Sequence, residues 1–78
     1  MSALKRTINP MPPFVEQALE KHDLRGAFEA RPDYQRNDWL GWIARAKKED
    51  TQMRRLEKML AELKAGHGYM GMAWEPKR

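Results

Sequence analysis

The sequence predicts an all-α protein, a small helical bundle of three main helices plus one short helix, with its C-terminal tail partly docked. Three observations predict it. Apolar residues recur at a helical period, and no stretch alternates apolar with polar residues over strand length. Helix starts and stops are marked in turn by "PMPP", by Arg31-Pro32 and by Gly66. The run "KKED" at Lys47–Asp50 places cations before anions, the order expected where one helix ends and the next begins.

The first helix follows "PMPP", because proline is tolerated just inside a helix start, where its missing N–H had no partner. Phe14, Val15, Ala18 and Leu19 form its inner face, and Lys21 and His22 lie near its negative end. The second segment is short, Leu24 to about Ala30, with Leu24, Ala27 and Phe28 on one side. Arg31-Pro32 ends it, since a residue before proline avoids the α region.

The third helix is expected from about Asp33 to Lys47, capped by Asp33 or Asn37. Trp39, Trp42, Ile43 and Ala46 fall at i, i+3, i+4 and i+7, the stripe of a core-facing helix. Gly41 sits inside it at a cost of about 1 kcal/mol relative to alanine. A close backbone approach and a tolerated surface position both account for that glycine. The fourth helix is expected from about Asp50 to Ala65, with Met53, Leu56, Met59, Leu60 and Leu63 as its stripe and Gly66 as a left-handed stop. Tyr69, Met70 and Trp74 then supply anchors by which the tail folds back, and Trp39, Trp42, Phe14, Phe28 and Tyr34 are expected in the core. The organisation is thus a mobile tail over residues 1–10, a helical domain over 11–66 and a C-terminal tail over 67–78.

Seventy-eight residues hold one domain at most. A chain of that size buries roughly 60% of its unfolded surface, so the core is thin. There is no cysteine, which removes disulfides and thiolate chemistry and agrees with a reducing cytoplasm as the location. No apolar run approaches the roughly 20 residues of a membrane span, and the first residues lack the apolar core of a secretory signal. The net charge is +4. Removing Lys5, Arg6, Lys77 and Arg78 from the 15 cations and Glu75 from the 11 acids leaves 11 against 10 across Met11–Ala73. The body is nearly neutral, which weakens the case for nucleic acid that a basic chain otherwise makes.

Charge is nonetheless gathered in one place. Taking Met53 as 0° at 100° per residue, the apolar stripe centres near 300°, while Thr51, Arg54, Arg55 and Lys58 fall between about 100° and 200°. With Arg45, Lys47 and Lys48 from the junction, these residues form a candidate partner-binding face. Lys47–Asp50 are fully accounted for by the helix junction, whereas the threonine and three cations on the outer side of the fourth helix are not.

The pattern "PP…ALE…AF…RPDYQR…WLGWIARAK…T…RR…K…LA…G", from about Pro12 to Gly66, resembles the bacterial bacteriocin-protection family, also called YdeI/OmpD-associated. Its most specific part is Trp42-Ile43-x-x-Ala46-Lys47, followed by Thr51 and Arg54-Arg55. Where that family commonly has Pro-Glu-Thr-Arg, this chain has Glu49-Asp50-Thr51-Gln52, so one signature arginine is missing. The resemblance implies a helical fold and a link to stress or bacteriocin tolerance. It implies no catalytic residues, and Thr51, Arg54 and Arg55 carry over as signature positions only.

Catalytic, cofactor and metal chemistry find little footing. His22 meets Arg25 and Gly26 at i+3 and i+4, and His67 meets Met70 and Gly71, so neither starts a ligand set. "GHG" lacks the preceding strand and following helix of a phosphate loop. Ser2 and Thr7 lie in the tail, Thr51 is surrounded by cations with no histidine base in sequence reach, and Glu49-Asp50 suit a helix start better than acid–base work. The expectation is therefore a non-enzymatic interaction module without cofactor or metal, whose partner is a protein with an acidic surface. The alternative is a nucleic-acid binder using the third and fourth helices as a helix-turn-helix, with Gln52, Arg54, Arg55 and Lys58 early in the second of them. The sequence sets no oligomeric state.

Overall fold

The computed structural model describes residues 8–76. Four helices follow one another: α1 (Pro13–Lys21), α2 (Arg25–Glu29), α3 (Asp33–Arg45) and α4 (Glu49–Ala65). Among the described residues the β pairing is confined to an isolated bridge between Tyr69 and Met72. The predicted all-α bundle, three longer helices and one short, is what the chain forms. Residues 1–7, most of the expected N-terminal tail, lie outside the described residues, as do Lys77 and Arg78.

Proline opens two of the helices. Pro12 stands in the extended region before α1, and Pro13 takes the first helical position. Pro32 does the same for α3, with φ −59° and ψ 152°. Neither Asp33 nor Asn37 caps α3 as expected: Asp33 is its first helical residue, and Asn37 lies a turn further in. Proline makes a side-chain cap less necessary, because its own fixed φ orients the chain for entry. α1 is closed by Asp23, which adopts a left-handed φ of 57°. That turn lets the Leu24 amide donate to the Leu19 carbonyl at 2.8 Å.

The core gathers Val15 and Leu19 from α1, Phe28 from α2, Trp39, Leu40 and Ile43 from α3, and Leu56, Met59 and Leu63 from α4. Two sequence expectations fail at its edge. Met53 is 43% exposed and Tyr34 is 40% exposed. Met53 lies on the first turns of α4, about 60° from the stripe centre and on the side opposite the fully buried Met59. Tyr34 sits at the start of α3 and covers the buried Tyr69 ring edge-on, with centroids 5.7 Å apart. α3 also ends two residues earlier than predicted. Ala46 turns extended, with φ −67° and ψ 128°, and remains buried.

Gly41 is a site of close approach. A Cβ there would lie 2.7 Å from the Asn9 amide nitrogen. Asn9 is held in place by Asn37, whose side-chain oxygen accepts the Asn9 backbone N–H at 2.7 Å and whose carbonyl accepts the Asn9 amide at 3.1 Å. Glycine in mid-helix therefore leaves room for the segment that precedes α1 to lie against α3.

The C-terminal tail docks through an arrangement that the sequence did not signal. Arg31 is 5% exposed. Its guanidinium donates to the Gln35 side-chain oxygen at 3.0 Å, the Gly68 carbonyl at 2.7 Å and the Glu62 carbonyl at 3.0 Å. It lies 5.0 Å from the Trp39 ring centroid and 4.4 Å from that of Trp74, so the two indoles enclose it. Burial lowers the Arg31 pKa, and the Glu62 charge opposes that shift. Arginine stays charged at neutral pH regardless. The Glu62 carboxylate completes the arrangement by accepting the Met70 amide at 3.0 Å and the Gly71 amide at 2.8 Å.

Those two amides belong to a tight turn. Tyr69 and Met72 exchange backbone hydrogen bonds of 2.9 and 2.8 Å. Met70 and Gly71 between them have φ of 53° and 81°, as a two-residue type I′ hairpin loop requires. Tyr69 drops into the core against Trp39 at 5.6 Å, and its hydroxyl donates to Asp38.

Candidate functional site

The helix junction positions the candidate face. Arg45 is the last residue of α3, Lys47 and Lys48 form the turn with Ala46, and Thr51, Arg54, Arg55 and Lys58 lie on the first turns of α4. Helix ends favour this order: Glu49 and Asp50 complement the N–H groups opening α4, while Arg45 complements the carbonyls closing α3.

The seven residues do not have the same surroundings. Arg55 is half-buried, and its Nη1 donates to the Trp42 carbonyl at 2.6 Å. Its guanidinium also lies 5.2 Å from the Trp42 ring centroid. The Trp42 carbonyl is among the last four of α3, which have no partner within the helix. Arg55 therefore ties the end of α3 to α4. The helical projection placed it about 100° from the stripe centre, which is the boundary of the buried face and not its back. That angle, with Trp42 as the last aromatic of α3, is the signal that could have found the contact.

The others face outward. Arg45, Lys47, Lys48, Arg54 and Lys58 are exposed and Thr51 is half-buried. Arg54 makes a long 3.4 Å contact with the Thr51 hydroxyl. Arg45 leans back over Gly41, where its Nη1 would lie 3.0 Å from a Cβ, so it marks the α3 margin of the face. Lys58 marks the other margin, its Nζ 3.8 Å from where a Cβ of residue 71 would stand. None of these five cations forms an ion pair among the described residues. By contrast, Arg25 pairs with Glu29 at 2.9 Å and Glu16 at 3.1 Å, and Arg36 pairs with Asp33. The hydrogen bonds to Glu29 and then Glu16 raise the Arg25 pKa.

This division of labour makes a measurable prediction. Arg55→Ala should cost about 2 kcal/mol, the value of a charge-assisted hydrogen bond with its cation–π contact. Arg54→Ala should stay within about 0.5 kcal/mol of wild type. Urea titrations followed by circular dichroism separate the two. Equal effects would mean that Arg55 carries no more of the fold than its exposed neighbour.

The described residues present no group of three histidine, aspartate or glutamate side chains placed to hold a metal ion. No helix among them is long and apolar enough to cross a membrane. No curated protein and no solved structure matches the chain. The family described as bacteriocin-protection, YdeI or OmpD-associated matches residues 10–66, a span that holds all four helices and the whole junction. The chain belongs to that bacteriocin-protection, YdeI or OmpD-associated family.

Proposed function

We propose that the chain is a non-enzymatic interaction module of a bacterial stress or bacteriocin-tolerance protein, acting in the cytoplasm. It binds a protein with an acidic surface through Arg45, Lys47, Lys48, Thr51, Arg54 and Lys58. One observation carries this reading: five exposed cations cluster at the α3–α4 junction with no acid partner among the described residues, while Arg55 beside them is committed to the fold. Arginine offers bidentate hydrogen bonds to carboxylates, and lysines add point charges around them.

A nucleic-acid reading has one feature in its favour, the three-residue turn 46–48, which has the length of a helix-turn-helix connection. Glu49 and Asp50 oppose it, because they open α4 where a recognition helix would meet the bases. The phosphate charge of a duplex is continuous and cannot avoid them, whereas carboxylates on a protein can be spaced to do so.

Capture from bacterial lysate, with and without nuclease, tests the proposal. The wild-type chain should retain a protein in nuclease-treated lysate, and Arg54→Glu/Lys58→Glu should lose it. Retention that survives the double charge reversal would overturn the proposed face. Retention abolished by nuclease would replace it with the nucleic-acid reading.

A further inference from the structure

A second surface, separate from the cationic face, lies between the α1–α2 corner and the flank of α4 beside its apolar stripe. It is a groove of about 360 Å³ lined by His22, Leu24, Glu57, Leu60, Ala61 and Lys64. Leu24 and Leu60 form its half-buried apolar floor, and Ala61 is exposed. Glu57 and Lys64 are exposed and make no ion pair among the described residues.

The order of these residues along α4 is self-complementary. Glu57 stands three positions before Leu60, and Lys64 stands three positions after Ala61. At 1.5 Å per residue, the two charges lie about 5 Å on either side of the Leu60–Ala61 midpoint. At 100° per residue all four side chains fall within about 100° of the helix circumference. They therefore form one strip, with opposite charges at its ends and an apolar centre.

The geometry points to self-association, in which a second copy of this chain lies antiparallel along α4 with a two-fold axis between Leu60 and Ala61. A two-fold interface uses the same patch on both copies, so each contact occurs twice. Glu57 of each copy then meets Lys64 of the other, and each Leu60 packs over the partner's Ala61. The small alanine lets the two helices approach closely. A parallel arrangement would set Glu57 against Glu57 and Lys64 against Lys64, and like charges reject it. The charge order thus selects both a second copy as the occupant and its direction. Thr51, Arg54 and Lys58 lie further round α4, so this contact does not depend on the proposed acidic partner.

Sedimentation equilibrium of the full chain, with circular dichroism to confirm folding, tests the inference. Wild type should show a reversible monomer–dimer equilibrium below about 1 mM. Glu57→Lys alone and Lys64→Glu alone each place like charges opposite one another, and each should weaken association by about tenfold or more. The double variant Glu57→Lys/Lys64→Glu restores opposite charges and should return association to within about threefold of wild type. A chain that remains monomeric to about 1 mM would overturn the inference. So would single variants that associate as wild type, or a double variant that is not rescued, which would assign the groove to another occupant.

Discussion

Arg31→Ala is expected to lower the stability of the chain by about 3–5 kcal/mol, because it deletes a buried cation whose partners remain in place. The loss strands the Gly68 carbonyl and the Gln35 side-chain oxygen, and leaves the Glu62 carbonyl with the Gly66 amide as its remaining donor. It also removes the body that fills the space between Trp39 and Trp74. A domain of this length has a total stability of only about 5 kcal/mol, so a large unfolded fraction is expected at room temperature. Arg31→Lys should not rescue it, since an ammonium has neither the planar face nor the forked donors. Urea unfolding monitored by circular dichroism and tryptophan emission measures the effect. A loss below about 1 kcal/mol would show that the tail docks without the guanidinium.

Glu62→Gln is the second large effect, and it separates the tail from the bundle. The two carboxylate oxygens accept the consecutive Met70 and Gly71 amides, and Trp39 Nε1 also points to one of them at 3.3 Å. Glutamine keeps the shape but has one oxygen, and its NH₂ would face a backbone N–H. The expected cost is about 1–3 kcal/mol, concentrated in residues 68–74. Hydrogen exchange at Met70 and Gly71 should accelerate, and Trp74 emission should shift to the red, while the α3 and α4 amides stay protected. Uniform acceleration across α3 and α4 would mean instead that the turn and the bundle unfold as one unit.

Much of the architecture could be read from residue spacing. Helical periodicity and proline placement gave four helices close to where they form, and Gly66 takes the left-handed conformation expected of it, with φ 82°. Tyr69, Met70 and Trp74 do pack against the core. What spacing could not show were polar contacts made across long stretches of chain. Arg31 looked like a helix stop because its local role is to precede proline. Its defining contacts are with Glu62, Gly68 and Trp74, more than thirty residues away. Asn37 looked like a cap for the same reason, yet its side chain serves Asn9.

The candidate face was legible as a composition and only partly as a geometry. Charge counts located the cluster at residues 45–58 but could not separate Arg54 from its neighbour. Arg54 reaches the Thr51 hydroxyl of its own helix, whereas Arg55 bonds to α3. Adjacent residues on a helix differ by about 100°, and that step decides which arginine faces solvent.

The most direct measurement is an amide NMR titration of the isotope-labelled chain with a glutamate-rich peptide and, separately, with duplex DNA, at about 50 and 200 mM salt. Binding of an acidic partner at the junction predicts that the peptide shifts amides across residues 45–58, that Arg54→Glu/Lys58→Glu abolishes those shifts, and that DNA leaves them largely unmoved. Peptide shifts that lie elsewhere, or a DNA response over 45–58 that is stronger than the peptide's and fades at the higher salt, would contradict it.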